Sequence, residues 1–515
     1  MCGIDKYIVL AALAFMVAML IKDKMRPGIL LFSVVVIFIV TGILTPAEAL
    51  SGFSNKGMIT VALLFLVSEG VRRSDSLGSV MKWIFPSKER SSVRKGYLYI
   101  MGVVASASAF LNNTPIVVIF IPHIKAWARR VGLPMRKFLI PLSYAAILGG
   151  MCTLIGTSTN LVVHGLMLDA GMDGFTMFEL GKVGGIIALV GIAYIVLFGE
   201  RRLPAGDINE EQIRDGNSGY HIVEAVIGPR FPGINYAVKE FDFAGHYNAN
   251  ILQLRRGGER MENMDDVRFR EGDTLLLAAD EKFIPTWGDS RVFLMLSNDK
   301  EHTPNSSPQR KWFTLSLLVM MIVGATLGDM PFIRERYPEL SLDMFFWACV
   351  VTVIMAFTGI IPPKKYSKFI SWDILVTIAS ALAISTAMTN SGLADWVAIS
   401  LTRLADRFSP IVVLMLLYVV TNIITELITN NAAAAFAFPI ALAVSQQMGL
   451  SPMPFMVAIC VAASCSFSSP IGYQTNMIVQ GIGGYSFRDF VRIGLPLNII
   501  AFVISMIFIP IFWPF

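Results

Sequence analysis

Two short polar clusters interrupt apolar stretches in the first half of the chain. They read Asn112-Asn113-Thr114 and Gly156-Thr157-Ser158-Thr159-Asn160, with no Lys or Arg in either. Carbonyl and hydroxyl oxygens in unwound backbone suit a small hard cation such as sodium. Amide and hydroxyl donors, together with the free N–H groups at half-helix N-termini, suit an anion. The expected chemistry is ion binding, with the anion held by amides, hydroxyls and co-bound cations.

Both clusters occur a second time. Thr425-Glu426-Leu427-Ile428-Thr429-Asn430-Asn431 and Gly472-Tyr473-Gln474-Thr475-Asn476 repeat the scheme. Asn113 and Asn430 are 317 residues apart, and Gly156 and Gly472 are 316 apart. A lone motif of this kind would be interpreted as a helix cap or a packing motif, but a duplication in register favours a binding site. Internal repeats among membrane segments are typical of transporters.

The composition requires a membrane. Of 515 residues, 55% are hydrophobic and only 15% are charged. Several apolar runs can cross a hydrocarbon core of about 30 Å. They are 28–45, 182–199, 313–328, 342–361, 372–388 and 493–513. We predict an α-helical polytopic protein of the plasma (inner) membrane, with 7–21 as a retained first helix and not a signal peptide.

Charge distribution predicts how these segments are arranged. Segment 97–127 has basic residues on both sides and its polar cluster halfway, which indicates a re-entrant hairpin with its tip at membrane depth. Segment 138–167 is long enough to cross but is interrupted at Gly156–Asn160, which indicates a broken helix. A second hairpin is expected at about 410–441. Basic residues follow the helix at 57–71 but precede its repeat at 372, so the two repeats are inverted.

A polar stretch separates the two membrane halves. We predict three units: 1–199, 200–312 and 313–515. The middle unit is a small cytoplasmic α/β insert with strands at His221–Ile227, Asn250–Leu254 and Thr274–Ala279 and turns at Gly257-Gly258 and Glu271-Gly272-Asp273. Through Val223–Gly233 and Asp265–Ala279 it resembles the TrkA-C regulatory module. That resemblance implies a small-molecule ligand and a tendency to dimerise.

Other polar residues leave alternatives open. Glu426, beside the second cluster, is interpreted either as an ion- or proton-coupling group or as a structural hydrogen-bond partner. Glu69 is expected to pair with Arg72 and Arg73 at the interface. The glycine-rich run at 481–484 is interpreted as a loop. We find no constellation that supports an enzyme or a nucleic-acid-binding protein.

With these residues in place, the chain resembles the divalent anion/sodium symporter (DASS) family of the ion-transporter superfamily over about 28–199 and 313–513. That family carries Ser-Asn-Thr at each hairpin tip, and only the central Asn is kept in both copies here. The resemblance implies substrate contacts and two sodium sites. The substrate residues would be Asn113, Thr114, Thr157, Ser158, Asn430, Asn431, Gln474 and Thr475. One sodium site would use Ser108, Asn113 and Gly156, and the other Thr425, Asn430 and Gly472.

The resemblance further implies a homodimer in which a transport domain moves against a scaffold, as in an elevator. The stretch at 469–476 and the insert are most similar to the sulfate-uptake branch of the family. We therefore expect a secondary active transporter that takes up a small divalent anion, sulfate first, together with sodium. A di- or tricarboxylate, a sulfonate or another oxyanion is the alternative substrate. A cation/proton antiporter and a membrane anion sensor are the other classes considered.

Overall fold

The structure is a computed structural model that describes residues 2–21, 25, 27–74, 92–204, 221–257, 259–280, 283–287, 290, 292–298, 307–328, 330, 342–397, 399 and 409–515. Helices of the first membrane half are α1 (Cys2–Ile21), α2 (Pro27–Val40), α3 (Pro46–Ser51), α4 (Lys56–Ser74), α5 (Val93–Ser108), α6 (Asn113–Val131), α7 (Leu139–Gly150), α8 (Ser158–Asp169) and α9 (Gly181–Arg202). The insert contributes α10 (Phe243–Tyr247) and α11 (Phe283–Trp287). The second half contains α12 (Pro308–Gly328), α13 (Met344–Phe357), α14 (Trp372–Asn390), α15 (Pro410–Leu427), α16 (Asn430–Gln447), α17 (Met453–Ser464), α18 (Gln474–Gly483) and α19 (Phe487–Phe512).

Several helices are long and apolar enough to cross a membrane. Among the described residues there are five, and six if α4 is joined to the short helices before it across a 40° bend. These helices confirm a polytopic membrane protein. The predicted spans are present as helices, but their ends differ from the prediction. The helix expected at 493–513 begins at Phe487, and the one expected at 342–361 covers Met344–Phe357. The basic residues that follow the helix at 57–71 include Lys82, Lys88 and Arg90, which lie outside the described residues.

Hairpin 1 consists of α5 and α6, as predicted. Helix α5 begins after Ser92, whose hydroxyl accepts from the Lys95 N–H. Helix α6 ends at Val131 and is followed by Gly132, which takes φ +67°. The chain reverses at 109–112, where the polar residues interrupt the apolar pattern. Hairpin 2, of α15 and α16, extends to Gln447 and not to 441.

Broken helix 1 consists of α7 and α8, with 151–157 unwound between them. The amide nitrogen of Asn160 donates to Gly150 O at 3.3 Å and to Thr153 O at 2.8 Å, which satisfies carbonyls that the break leaves free. Broken helix 2 consists of α17 and α18. Its Asn476 donates in the same way to Ser466 O at 2.9 Å and to Ser469 O at 3.0 Å. The sequence repeat is therefore a repeat of hydrogen bonds as well.

The membrane helices form two packed groups. Helices α1–α4 and α12–α14 pack mainly on one another, with α14 against α2 and α13 against α4. The hairpins and broken helices pack together with α9 and α19, as in the pairs α5–α7, α15–α17 and α9–α19. We call the first group the outer helix group and the second the hairpin group. They meet where α4 contacts α8 and where α14 contacts α16.

The insert is an antiparallel sheet of five strands in the order β3-β2-β4-β1-β5. The strands are β1 (His221–Ile227), β2 (Ala249–Arg256), β3 (Glu259–Arg260), β4 (Thr274–Ala279) and β5 (Phe293–Asn298). Three of them were predicted, β1 and β4 with these bounds. Strands β3 and β5 were missed, since β3 has two residues and the apolar run of β5 does not alternate. Aromatic side chains of Phe231, Phe243, Tyr247, Phe269 and Phe293 fill the core.

Candidate functional site

Each hairpin tip contacts the broken helix of the other repeat. Ser158 Oγ donates to Asn431 Oδ1 at 3.0 Å, and Thr114 Oγ1 donates to Gln474 Oε1 at 3.4 Å. Thr114 and Asn431 are repeat equivalents 317 residues apart, and Ser158 and Gln474 are equivalents 316 apart. The two hydrogen bonds are thus the same contact made twice. The structure brings these four predicted substrate residues together at the junction of the repeats.

The centre of this junction is a contact between two equivalent residues. Thr157 Oγ1 and Tyr473 Oη are 3.2 Å apart, and their positions differ by 316. Both side chains are buried. Only residues on a pseudo-two-fold axis can contact their own repeat equivalent, so the axis that relates the halves passes through the predicted site.

The first predicted sodium set, Ser108, Asn113 and Gly156, joins the tip of hairpin 1 to broken helix 1; we call it the first cation cluster and its repeat equivalent the second. Ser108 Oγ donates to Ala146 O at 2.8 Å. One terminal atom of the Asn113 amide lies 2.8 Å from Ser108 Oγ and 3.1 Å from both Ala146 O and Gly156 O. With nitrogen at that position the amide donates to these oxygens; with oxygen there, four oxygens lie close together, as in a site for a small cation. The predicted set Ser108, Asn113 and Gly156 is assembled.

Gly150 makes room for the first cluster. A Cβ added to Gly150 would lie 2.6 Å from Asn113 Oδ1 and 3.1 Å from Gly156 O. Both distances are shorter than an ordinary contact, so any side chain there would displace the asparagine. The repeat equivalent of Gly150 is Ser466. The first cluster thus depends on a glycine that the second lacks.

The second cluster is only partly assembled. Thr425 Oγ1 donates to Ala463 O at 2.7 Å, which repeats the bond from Ser108 to Ala146. Gly472 lies close against Thr425 O and the Ser466 hydroxyl. Asn430, however, accepts from the Asn431 N–H of its own helix at 2.9 Å. Thr425 and Gly472 are together, while the amide oxygen of Asn430 is committed elsewhere.

Some residues at the site were not predicted, and one predicted residue lies apart from it. Thr159 Oγ1 donates to Asn431 Oδ1 at 3.3 Å, and the carbonyls of Ala146 and Ala463 join the cation clusters. A carbonyl carries no sequence signal, whereas Thr159 stood inside the polar motif. Thr475 is buried away from the junction, where it accepts from Ser143 Oγ at 2.9 Å.

Glu426 is fully engaged as a hydrogen-bond acceptor. It accepts from the Ser468 N–H at 2.9 Å, from Ser466 Oγ at 3.2 Å and from Asn498 Nδ2 at 2.6 Å. These donors lie on the unwound part of broken helix 2 and on α19. Its equivalent in the first half is Ala109. The geometry therefore favours the structural interpretation. Glu69 pairs with Arg72 and Arg73, each at 2.8 Å, as expected.

A cavity leads to the junction from the side of α4. Its space of about 390 Å³, which includes open solvent, is lined by residues that include Ser68, Asn112 and Ser158. A second cavity of about 350 Å³ lies between α14 and the tip of hairpin 2, where Ile384 and Ile428 line it. Ser68 and Ile384 are repeat equivalents, so these are two versions of one feature. The first contains polar groups and the second is apolar.

Inverted repeats, paired hairpins and broken helices that meet around a buried polar junction define a multi-pass membrane transporter. The citrate transporter family model matches residues 11–334 and 330–514, and the chain belongs to this family. It is 30% identical to an uncharacterized transporter of Synechocystis, over 95% of this chain and 94% of that one.

Two further similarities extend the comparison. Sodium/sulfate cotransporter 1 of Chlamydomonas reinhardtii is 22% identical over 96% of this chain and 88% of its own length. Among solved structures, the YdaH transporter of Alcanivorax borkumensis aligns with a TM-score of 0.51 and 14% identity, over 90% of this chain and 86% of that one. The structural similarity confirms the polytopic transporter fold.

Proposed function

We propose that this transporter takes up a small divalent anion, sulfate first, in symport with sodium. The observation that carries the proposal is the first cation cluster, where the Asn113 amide meets three other oxygens. An oxygen cluster without a carboxylate suits sodium, and it lies next to the amides and hydroxyls at the junction. Sodium bound there would supply the positive charge that an anion needs.

The anion would bind where the two tips cross. Thr114, Ser158, Asn431 and Gln474 offer hydroxyl and amide donors on either side of the axis, next to the N-termini of α8 and α18. None of these side chains carries charge, so binding should depend on sodium. The similarity to a sodium/sulfate cotransporter supports sulfate.

The alternative substrate is a di- or tricarboxylate, which the name of the matched family supports. Sulfate and carboxylates use the same donors, and the departure of Asn431 from the Thr of the family tip motif favours sulfate. A cation/proton antiporter would need a free carboxylate at the clusters, whereas Glu426 is held by three donors. Proton flux that requires no other solute would favour the antiporter.

The proposed motion is that of the hairpin group against the outer helix group, in an elevator-type cycle and within a homodimer. The packing supports it, since the two hairpins and the two broken helices all pack together in the hairpin group. In the cytoplasmic membrane the insert would face the cytoplasm, as the basic residues of the flanking loops predict.

Uptake of labelled sulfate into proteoliposomes tests the proposal, with and without an inward sodium gradient. Sodium-dependent accumulation that resists unlabelled citrate, succinate and taurine is the expected result. Sodium-dependent accumulation of labelled citrate or succinate in place of sulfate would support sodium coupling and contradict sulfate as the substrate. Sulfate binding without accumulation would favour a sensor.

A further inference from the structure

The insert contacts the half-helix α18 at a position that has a counterpart in the first repeat. Gly481 of α18 and Gly165 of α8 are equivalents 316 residues apart. The run at 481–484, interpreted above as a loop, is the end of this helix, and only Gly484 leaves it with φ +60°. Both glycines lie against another part of the protein, and the two surroundings differ.

Gly165 packs against the start of α4 in the outer helix group. A Cβ on Gly165 would lie 2.9 Å from Asn55 Oδ1 and 3.5 Å from Gly57 Cα. Asn55 also donates to Gly165 O at 3.2 Å and accepts from the Met58 N–H at 3.1 Å. In the first repeat, therefore, the glycine face of the half-helix is covered by the outer helix group.

Gly481 packs against the insert instead. A Cβ there would meet Thr274 Oγ1 and would lie 3.2 Å from Gly272 O, at the turn that starts β4. This turn needs Gly272, whose φ is +85°. On the neighbouring turn of α18, Met477 Sδ is 3.6 Å from the Cβ position of Gly272. The insert thus covers the face that the outer helix group covers in the first repeat.

An ion pair attaches the insert to hairpin 1 as well. Lys125 Nζ of α6 lies 3.8 Å from a carboxylate oxygen of Glu224 in β1. The two side chains are only 16% and 13% exposed, so solvent screens this pair less than a surface pair. The insert therefore holds two elements of the hairpin group.

Inverted repeats change access by exchanging the arrangements of their two halves. In the exchanged state α18 would pack on the start of α14, at Ser371 and Asp373, which are the equivalents of Asn55 and Gly57. The outer helix group and the insert cannot both cover Gly481. We propose that the insert is a conformational lock, whose contact with α18 must open in each transport cycle. This inference rests on the proposed function.

A disulfide across the contact tests the lock. The Cβ position of Gly481 is 3.8 Å from Thr274 Cβ, close to the mean Cβ separation of a disulfide, about 3.8 Å. In a background without the native cysteines, oxidation of Thr274→Cys with Gly481→Cys should reduce uptake by about tenfold or more. Reduction should restore it. The assay uses whichever anion the wild type accumulates. An error in the proposed substrate would therefore not affect the test of the lock.

Matched controls use the same chemistry elsewhere. Uptake by each single-cysteine variant should not change when oxidant is added. Arg255→Cys with Arg260→Cys would cross-link β2 to β3 within the insert, where these residues pair, and should leave uptake unchanged. A complete cross-link of 274 to 481 with full uptake would overturn the lock, because the insert would then travel with α18.

A second measurement keeps the proposal falsifiable if Gly481→Cys does not fold. Glu224→Lys should repel Lys125 and weaken the contact, so uptake should rise by at least about twofold, which is the size of the effect of a surface ion pair. Adding Lys125→Glu should return uptake to the wild-type rate. A Glu224→Lys variant that is correctly inserted and transports at the wild-type rate would contradict the lock.

Discussion

The two hairpin tips use equivalent residues but hold their central asparagines differently. The amide of Asn113 lies among oxygens of Ser108, Ala146 and Gly156, whereas Asn430 accepts from the next N–H of its own helix. The hydroxyl-to-carbonyl bonds of Ser108 and Thr425 are the same in both. Duplication therefore repeats the scaffold of the proposed cation site, while neighbouring residues decide whether the asparagine completes it.

The cavities beside the tips show the same kind of difference. Near hairpin 1, Ser68 and Asn112 line the space that reaches Ser158, and near hairpin 2, Ile384 replaces the serine. A hydrated ion should enter more readily through the polar cavity than through the apolar one, because polar groups can replace part of its hydration shell. In this conformation we expect the first repeat to be the side from which ions reach the site.

The largest effect is expected from Asn113→Ala. The change removes the amide at the centre of the first cation cluster, so sodium-dependent uptake should fall to background. Ser106→Ala on the same hairpin is the control, since its exposed hydroxyl donates to Gly102 O of its own helix at 2.8 Å, and it should keep most of the uptake. Wild-type uptake by Asn113→Ala would mean that the site lies elsewhere.

Asn430→Ala should also abolish uptake, but with a different sodium response. Because the second cluster is only partly assembled and does not include the Asn430 amide oxygen, sodium should still bind at the first cluster of this variant. Sodium alone should therefore raise its melting temperature, as binding to the folded state requires, and should not do so for Asn113→Ala. Equal responses of the two variants would contradict the difference between the tips.

Gly150→Ala should weaken sodium binding. Its Cβ would crowd the Asn113 amide, and overpacking of this kind costs about 1–3 kcal/mol, so the sodium concentration for half-maximal uptake should rise by about tenfold. Ser466→Ala, at the equivalent position, removes atoms instead and should change that concentration little. A titration of uptake against sodium compares the two variants. A larger effect of Ser466→Ala would mean that sodium binding depends more on the second tip than on the first.

The smallest effects are expected where the tips cross. Ser158→Ala removes a bond of 3.0 Å to Asn431, and Gln474→Ala removes one of 3.4 Å to Thr114. A typical hydrogen bond contributes about 0.5–1.5 kcal/mol, so KM for the anion should rise by a few-fold, more for Ser158. If neither substitution changes KM, these side chains do not touch the anion.

The sequence predicted the architecture well, because it depends on local patterns. Apolar length marks the membrane helices, and a polar cluster halfway through a segment with basic ends marks a hairpin. The register of 316 to 317 residues gave the equivalences that the hydrogen bonds of Asn160 and Asn476 repeat. Strand β5 was missed because a short apolar run without alternation fits a buried helix equally well.

By itself, the sequence determined the duplication, its inversion and the residue types at the junction, since each is a property of the order and spacing of side chains. Only the tertiary structure decided which groups meet. It added the carbonyl of Ala146, turned Thr475 towards Ser143 and held Asn430 on its own helix. Backbone carbonyls have no sequence signal, and the direction of a buried amide depends on neighbours far away in the chain. The contact of Gly481 with the insert has the same origin, because it joins segments about 200 residues apart.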